Sequence, residues 1–281
     1  MEEMETDERS NRITQQREIQ LNTFTRWCNH HLSQVNESIP DLETGFQDGL
    51  KLVSLLQVLS KKEIPAKIFR KPKFLVQKVF NIDACLAFMS VDEGMVFRNI
   101  EARDLTQGNI RYIEALVWVI ILKYHFTLPQ DGTRAGLEVR LLDWVKSRLP
   151  SELQHISTFD CTEWKNGVAL SALVNTFCPS SYLPQWSDID PCEGVCNTRR
   201  AMGVAQKWLG VPGVLSPEEM CCPNVSKQSI FVYVAFFIGA QVVKEDIGPD
   251  AEDDIRRGVK RSAPEAALEL PDEDDGKKMV K

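Results

Sequence analysis

Residues 46–56 read FQDGLKLVSLL and residues 164–174 read WKNGVALSALV, and the likeness of these two stretches decides the fold. Each stretch joins an Asp or Asn to a Gly and continues into an apolar run. Trp27 precedes the first stretch by 19 residues and Trp144 precedes the second by 20, so the offset between them is 117 at the tryptophans and 118 at the glycines. A period of this length is that of a whole small domain, and it predicts two tandem copies of one fold.

The spacing of apolar residues predicts that each copy is all-α. Ile19, Phe24 and Leu32 recur close to helical spacing in the first copy. Residues 137–149 do so in the second copy, until Pro150 ends the helix. No alternating strand pattern occurs elsewhere in the sequence, so we expect two helical domains.

The Asp-Gly and Asn-Gly pairs predict the start of the central helix of each copy. A short side-chain oxygen, from Asp48 or from Asn166, can accept a backbone N–H two or three residues further on. Exchanging Asp for Asn should therefore change this cap little. Further matched helices are predicted at residues 74–89 with 197–209, and at residues 109–124 with 229–243, the last pair apolar almost all round as in the middle of a bundle.

The repeat places the first domain at residues 17–126 and the second at 137–243, joined by a linker at 127–136. The chain has 281 residues, enough for two cores of this size. Its net charge is −7, and most of it comes from the two ends. This acidic composition predicts disordered tails at residues 1–16 and 244–281.

The eight cysteines predict reduced thiols. Cys28, Cys85 and Cys178 lie within apolar helical patterns and are expected to be small core residues, while the other cysteines lack the spacing of two zinc-binding pairs. A redox or metal role is the weaker alternative. The acidic N-terminus differs from a signal peptide, and the apolar windows are shorter than the roughly 18 residues that span a bilayer. We expect a cytoplasmic protein without a cofactor.

Two signatures in the sequence resemble the actinin-type actin-binding domain. Residues 20–29, QLNTFTRWCN, are similar to the first signature, and residues 96–120 are similar to the second. The repeated Asp/Asn-Gly-x-x-Leu element resembles that of calponin homology domains, and residues 208–212 and 216–220 most resemble filamin. The resemblance implies a tandem pair of calponin homology domains that binds filamentous actin in the cytoskeleton and contributes to actin filament organisation.

The resemblance also implies where the filament binds. The contact surfaces of the family fall here near residues 17–32, 105–124 and 137–148. We expect the apolar residues within them to be core, namely Phe24, Trp27, Ile113, Leu116, Ile120 and Ile121. The candidate actin-binding residues are polar or flanking: Thr23, Arg26, Leu105, Gln107, Asn109, Arg111 and Tyr112. For each of these alone, a solvated helix surface is an equally good interpretation.

Relatives of the actinin type hold their two domains in a closed pair, in which the second domain partly covers the actin surface. By that resemblance Trp118 would stack on a lysine of the second domain, but the aligned position here is Gln228, with Lys227 beside it. We therefore expect this interdomain latch to be weakened and the molecule to be more open than its relatives. Gln107 also stands where the family usually has Asp, which would weaken actin binding.

One run of charge stands out in the first copy. It contains seven bases within 18 residues and a single acid, Glu63; the bases are Lys61, Lys62, Lys67, Arg70, Lys71, Lys73 and Lys78. The run predicts a patch for an acidic partner, either actin or phosphoinositide headgroups. A solvated loop is an equally good interpretation, and no recognisable nucleic-acid motif accompanies the patch.

The sequence lacks the motifs of common enzymes. No phosphate-binding glycine loop, nucleophile elbow, HExxH or EF-hand pattern occurs, so we expect a non-catalytic protein. No rod repeat or dimerisation segment follows the second copy, so the sequence predicts either a fragment or short isoform of a longer crosslinker or a monomer that binds the side of a filament. The alternative is a regulatory adaptor that binds phosphoinositides or a protein and has weak actin affinity, as the basic run and Gln107 favour.

Overall fold

The computed structural model describes the backbone of residues 2–125, 134–178 and 183–240, and the side chains of residues 9–125, 136–178 and 183–240. Within these ranges the chain is helical and has no β-strand, which confirms the all-α prediction. The predicted tail at 244–281 and most of the predicted linker lie outside them. No helix in these ranges is both long and apolar enough to cross a membrane.

Each copy contributes six α-helices to the described part of the chain. The first copy contains α1 (Glu2–Leu32), α2 (Leu42–Gly45), α3 (Leu50–Ser60), α4 (Leu75–Ala87), α5 (Ala102–Thr106) and α6 (Ile110–Tyr124). The second copy contains α7 (Arg134–Arg148), α8 (Cys161–Trp164), α9 (Val168–Asn175), α10 (Gly194–Leu209), α11 (Pro217–Cys221) and α12 (Lys227–Ala235).

The Asp-Gly and Asn-Gly pairs lie at the starts of α3 and α9 as the sequence predicts, but the N-cap residues are the glycines, Gly49 and Gly167, and the Asp or Asn lies one position earlier. The Oδ1 atom of Asp48 accepts the backbone N–H of Leu50 at 2.9 Å. The Oδ1 atom of Asn166 accepts the N–H of Val168 at 3.0 Å. Because the two bonds differ by only 0.1 Å and have the same register, the exchange of Asp for Asn leaves the helix start unchanged.

A buried asparagine lies under the start of the central helix in the first copy. The Nδ2 of Asn81 donates to the carbonyls of Asp48 and Phe69, each at 3.0 Å, and its Oδ1 accepts the N–H of Phe69 at 2.8 Å. Gly49 has a φ of +78°, and a Cβ there would lie 2.8 Å from the Asn81 Cβ. The asparagine therefore clamps the loop before α4 to the start of α3.

The second copy repeats this clamp with Asn197. Its Nδ2 donates to the carbonyls of Asn166 at 3.1 Å and Asp190 at 2.7 Å. Gly167 has a φ of +73°, and a Cβ there would lie 2.7 Å from the Asn197 Cβ. Only a residue without a Cβ allows this close approach in a left-handed conformation.

The cores contain the residues that the sequence assigned to them. The six apolar residues predicted to be core within the contact surfaces are all buried, namely Phe24, Trp27, Ile113, Leu116, Ile120 and Ile121. Cys28, Cys85 and Cys178 are buried free thiols, as expected for small core residues. Burial raises the pKa of the Cys28 and Cys85 thiols, so both are protonated at neutral pH.

Helix α1 is longer than predicted. It begins at Glu2, whereas the sequence predicted disorder through residue 16. Residues 2–18 contain no Gly or Pro and consist largely of good helix formers, and extending a packed helix is far easier than nucleating one. Side chains 9–18 are exposed, and Ile19 is the first described side chain that is buried.

Candidate functional site

Four of the predicted filament-contact residues come together where α5 meets α6. Gln107, Asn109 and Arg111 are exposed there, and Tyr112 is half-buried. We call these four residues the α5–α6 corner. Together they present amide, guanidinium and phenol groups on one surface of the first copy.

The turn at the α5–α6 corner is fixed by Gly108. This residue has a φ of +70°, and a Cβ there would lie 2.8 Å from Nε2 of Gln47 and 3.1 Å from the carbonyl oxygen of Glu43. The N–H of Asn109 donates to the carbonyl of Asp104 at 2.8 Å. The corner is therefore packed against the loop that precedes α3 and keeps its shape.

Two other candidates lie inside the first copy. Thr23 is fully buried. Its Oγ1 donates to the carbonyl of Ile19 at 2.8 Å within α1, so the buried hydroxyl needs no external partner. Leu105 is fully buried as well. These positions differ from the surface role that the sequence suggested, so we leave both residues out of the contact surface.

Arg26, the remaining candidate, is bound by the second copy. Its Nη1 donates to Oε2 of Glu219 and its Nη2 donates to Oε1 at 3.2 Å, so the pair is bidentate. The Nδ2 of Asn22 lies 3.4 Å from the same Oε1. Through these contacts α1, which carries one of the predicted contact surfaces, is tied to α11.

Glu219 is well placed to remain charged. It lies in a capping box at the start of α11, where its Oε2 accepts the N–H of Ser216 at 2.9 Å and its own N–H donates to the Ser216 hydroxyl at 3.1 Å. Burial raises the pKa of Glu219, but the hydrogen bonds from Arg26 and Ser216 outweigh it and hold the pKa below its usual value. The carboxylate is therefore ionised at neutral pH.

Trp118 lies between the two copies. Its ring stacks on Phe24 of the first copy with centroids 5.7 Å apart and an angle of 5° between the planes. It also meets the edge of Phe231, on α12 of the second copy, at 5.8 Å. These aromatic contacts join α1, α6 and α12.

The other two predicted latch residues lie near this contact, on α12. The Nζ of Lys227 is 3.1 Å from Oδ2 of Asp160 within the second copy, and Gln228 is half-buried. The two copies touch in this structure, which differs from the more open arrangement predicted from the sequence. The reason is physical: stacked aromatic rings and the Arg26–Glu219 pair hold α1 and α6 to the second copy.

Histidines of the first copy also contact the second copy. The ring centroids of His30 and His125 lie 5.5 and 4.3 Å from that of Phe236 in the second copy. Burial lowers the pKa of His30, and it lowers the pKa of His125 to about 4 against the opposing effect of a hydrogen bond to the Ala235 backbone. Burial and the neighbouring charges lower the pKa of His31 to about 3. No group of side chains suited to a metal ion occurs among the described residues.

The predicted basic run lies at the surface. Six of its bases are exposed and Lys78 is half-buried; the exposed ones are Lys61, Lys62, Lys67, Arg70, Lys71 and Lys73. Lys62 donates to Glu93 at 2.8 Å, and this contact raises the pKa of Lys62. The other bases have no ion pair within the described part of the chain.

Sequence reasoning missed the partners across the two copies. Glu219 and Phe231 lie far from Arg26 and Trp118 in the sequence, and no local pattern joins them. One signal was available in the sequence: Glu219 belongs to the SPEEM stretch at residues 216–220, which resembles filamin. The capping box predicts a fixed glutamate there, but not the residue that it binds.

Comparisons with known proteins agree with this architecture. The family profile of the Calponin homology (CH) domain matches residues 18–126 and 136–242. Filamin-C of Rattus norvegicus is 36% identical over 233 residues, which cover 80% of this chain and 8% of that protein. Filamin-A of Drosophila melanogaster is 37% identical over 230 residues, covering 79% and 10%. Alpha-actinin-3 of Mus musculus is 30% identical over 225 residues, covering 79% and 24%.

The chain thus spans about a tenth of the length of the filamins that it matches. Among solved structures, the actin-crosslinking core of Schizosaccharomyces pombe fimbrin aligns with a TM-score of 0.59 at 17% identity, covering 79% of this chain and 48% of that one. At this identity the likeness shows the fold alone. Together the comparisons confirm the resemblance that the two signatures and the repeated element carry.

Proposed function

We propose that the chain, which belongs to the calponin homology domain family, binds the side of filamentous actin, mainly through its first copy. The observation that carries the proposal is the exposed α5–α6 corner, which lies within the second signature at residues 96–120. The fimbrin core whose fold is shared is an actin-crosslinking core. The proposal makes this chain a monomeric, non-catalytic binding protein of the cytoplasmic actin cytoskeleton.

The α5–α6 corner has chemistry that suits an acidic protein surface. Arg111 supplies a positive charge that complements actin and speeds encounter. Gln107 and Asn109 supply donors and acceptors that fix register. Tyr112 supplies apolar area together with a hydroxyl group that needs a polar partner.

The contact between the copies regulates this surface in the same proposal. Arg26 lies on the filament-facing side of α1, and it is available to a filament only after leaving Glu219. Each 1.4 kcal/mol or so of lost interdomain contact raises the apparent filament affinity about tenfold, until the open state dominates. The second copy therefore limits filament binding because it holds Arg26 on α1.

Co-sedimentation of the full chain with filamentous actin tests the proposal. We expect the wild type to pellet with filaments, and the Arg111→Glu variant to lose at least tenfold in affinity because it reverses the charge of the corner. Arg200→Glu is the matched control, since Arg200 is an exposed arginine of the second copy. Absence of pelleting by the wild type, or equal losses in the two variants, would overturn the proposal.

A further inference from the structure

Four large apolar side chains are exposed on one short stretch of the first copy. The exposed fractions are 67% for Phe74, 59% for Leu75, 71% for Val76 and 49% for Phe80. Three of these residues are consecutive. Consecutive exposed apolar residues are rare on a soluble surface unless they serve a function, because they carry a risk of aggregation.

The first turn of α4 holds these side chains outward. The Oε1 atom of Gln77 accepts the N–H of Lys73 at 2.8 Å and that of Phe74 at 3.2 Å, which fixes the start of the helix. With this start, Asn81 and Ile82 face the core. Residues 74–76 are therefore exposed because the opposite side of the helix packs against the core.

Phe80 extends the same apolar face. It lies one turn after Val76, so the two side chains are neighbours on the helix surface. Its ring meets the edge of Phe69 with centroids 5.6 Å apart, and the ammonium of Lys67 lies 5.6 Å from the Phe69 ring. The loop and the helix thus form one surface, which we call the apolar–basic surface (residues 67–80).

Positive charge lies beside the exposed apolar side chains. Lys67, Arg70, Lys71 and Lys73 are exposed, and none forms an ion pair with another described residue. Residues 67–80 contain no acid, and Asp83 is the first acid beyond them. The surface therefore combines apolar area with uncompensated positive charge.

We propose that the apolar–basic surface docks the protein on an anionic lipid bilayer. Phe74, Leu75 and Val76 enter the headgroup–acyl boundary, and the four bases meet the anionic headgroups. Stable docking of a peripheral protein takes two such signals, because a small apolar insertion or a basic cluster alone binds weakly. The stems of lysine and arginine add apolar contact while their charges stay in water.

The apolar–basic surface contains none of the residues of the α5–α6 corner, so the proposal does not depend on filament binding. Charge complementarity alone would suit an acidic protein as well. The apolar residues favour a bilayer, because fluid lipid accepts a protruding helix start without a matching groove.

Flotation of the full chain with lipid vesicles tests the proposal. The vesicles are phosphatidylcholine alone, phosphatidylcholine with phosphatidylserine, and phosphatidylcholine with phosphatidylinositol bisphosphate at equal surface charge. We expect binding to both anionic vesicles with similar affinity and little binding to phosphatidylcholine. The double variants Phe74→Ser/Leu75→Ser and Lys71→Glu/Lys73→Glu should each lower the affinity at least tenfold.

Matched controls separate this surface from general stickiness. Val91→Ser removes an apolar side chain that is 80% exposed on the same copy, roughly 25 Å further along the helical segment. Lys165→Glu/Lys207→Glu makes the same charge change at exposed lysines of the second copy. Both controls should bind vesicles like the wild type, and circular dichroism should show every variant folded.

Several results would overturn the proposal. The first is absence of wild-type binding to anionic vesicles. The second is a loss in the lysine variant alone, which would mean charge attraction without insertion. The third is binding only to the phosphatidylinositol bisphosphate vesicles, which would mean recognition of one headgroup. The fourth is loss of filament pelleting in the Phe74→Ser/Leu75→Ser variant with vesicle binding unchanged, which would assign the surface to a protein partner.

Discussion

In both copies a buried asparagine clamps the start of the central helix, but only in the first copy do both polar atoms of its side chain form hydrogen bonds. Asn81 makes three hydrogen bonds to the backbone. Asn197 makes two, and its buried Oδ1 has no partner among the described residues. An unpaired buried oxygen costs about 1–3 kcal/mol. One sequence pattern can therefore retain the geometry of a clamp while losing part of its stabilisation.

The copies also differ in what they expose near the clamp. Helix α4 of the first copy begins with exposed apolar residues, Phe74 and then Leu75 and Val76. In its counterpart α10, Val195 is the one exposed large apolar side chain, at 36%. The first copy thus carries both surfaces for which partners are proposed, while the second copy supplies Glu219 and Phe231 as restraints.

Removing the clamp from each copy should give the largest difference between them. Asn81→Ala leaves three half-buried backbone groups of the first copy without this partner and should lower the free energy of unfolding by about 3–4 kcal/mol. Asn197→Ala should cost about 1–2 kcal/mol, because one oxygen of that clamp is already unpaired. Urea unfolding of the full chain, followed by circular dichroism, measures both. Equal losses would mean that the extra bond of Asn81 contributes nothing.

Alanine substitution of Gly49 and Gly167 should reverse this order, so that the second copy loses more stability than the first. A Cβ at Gly167 would lie 2.7 Å from the Asn197 Cβ and 2.8 Å from the backbone nitrogen of Thr198, whereas the backbone nitrogen nearest Gly49 would be 3.1 Å away. We expect Gly167→Ala to lower the free energy of unfolding by about 2–3 kcal/mol and Gly49→Ala by slightly less.

The control for the glycine pair is Gly203→Ala within α10. A Cβ there meets nothing within 4 Å, so this change should stabilise the helix by up to about 1 kcal/mol. Equal destabilisation by Gly203→Ala would mean that the losses at the clamp glycines cannot be assigned to their left-handed conformation and close contacts. The same urea unfolding assay compares all three variants.

Two histidines of the first copy make the stability of the protein sensitive to acid. His31 and His125 of the first copy have folded-state pKa values lowered to about 3 and about 4. The folded state favours the neutral form of each histidine, so the stability of the protein is not reduced by these groups above pH 6.5. Stability is lost as the pH falls from 6.5 towards those lowered values, because the unfolded state then binds protons that the folded state does not.

Unfolding of the wild type at pH 7 and pH 5 measures this response. Each of these two histidines should remove up to about 2 kcal/mol of stability over that interval. His31→Leu should reduce the pH dependence, since it removes one titrating group and retains apolar volume. The matched substitution for comparison is His155→Gln, which replaces an exposed histidine of the second copy. A His31→Leu variant as sensitive to acid as the wild type would contradict the assignment.

These differences show which features can be predicted from a sequence. The repeat, the helices and the hydrogen bonds that Asp48 and Asn166 accept at the helix starts were predictable, because each is set by residues close together in the chain. Thr23 was misplaced because a polar residue on a helix can satisfy its hydroxyl with its own backbone and be buried. The apolar start of α4 was visible in the sequence, but the side of it that faces solvent depends on packing against the rest of the copy.

Contacts between the copies were the least predictable part of the candidate site. Arg26 and Glu219 are 193 residues apart, and a single sequence gives no pairing information at that distance. The lysine latch implied by resemblance was absent at Gln228, and the sequence offered no sign that aromatic rings join the copies there. The closed pair thus depends on a surface match that only the folded copies create.

The smallest expected effect, in free energy, comes from loosening this contact. Glu219→Gln keeps the shape of the side chain and removes its charge, so it should weaken the tie to Arg26 by about 1 kcal/mol and raise filament affinity about fivefold in co-sedimentation. Glu218→Gln is the matched control, because the neighbouring Glu218 pairs with Arg199 within the second copy. If both variants bind filaments like the wild type, the Arg26–Glu219 pair does not restrain the filament surface. If both bind more tightly, the effect comes from the lost negative charge and not from the contact between the copies.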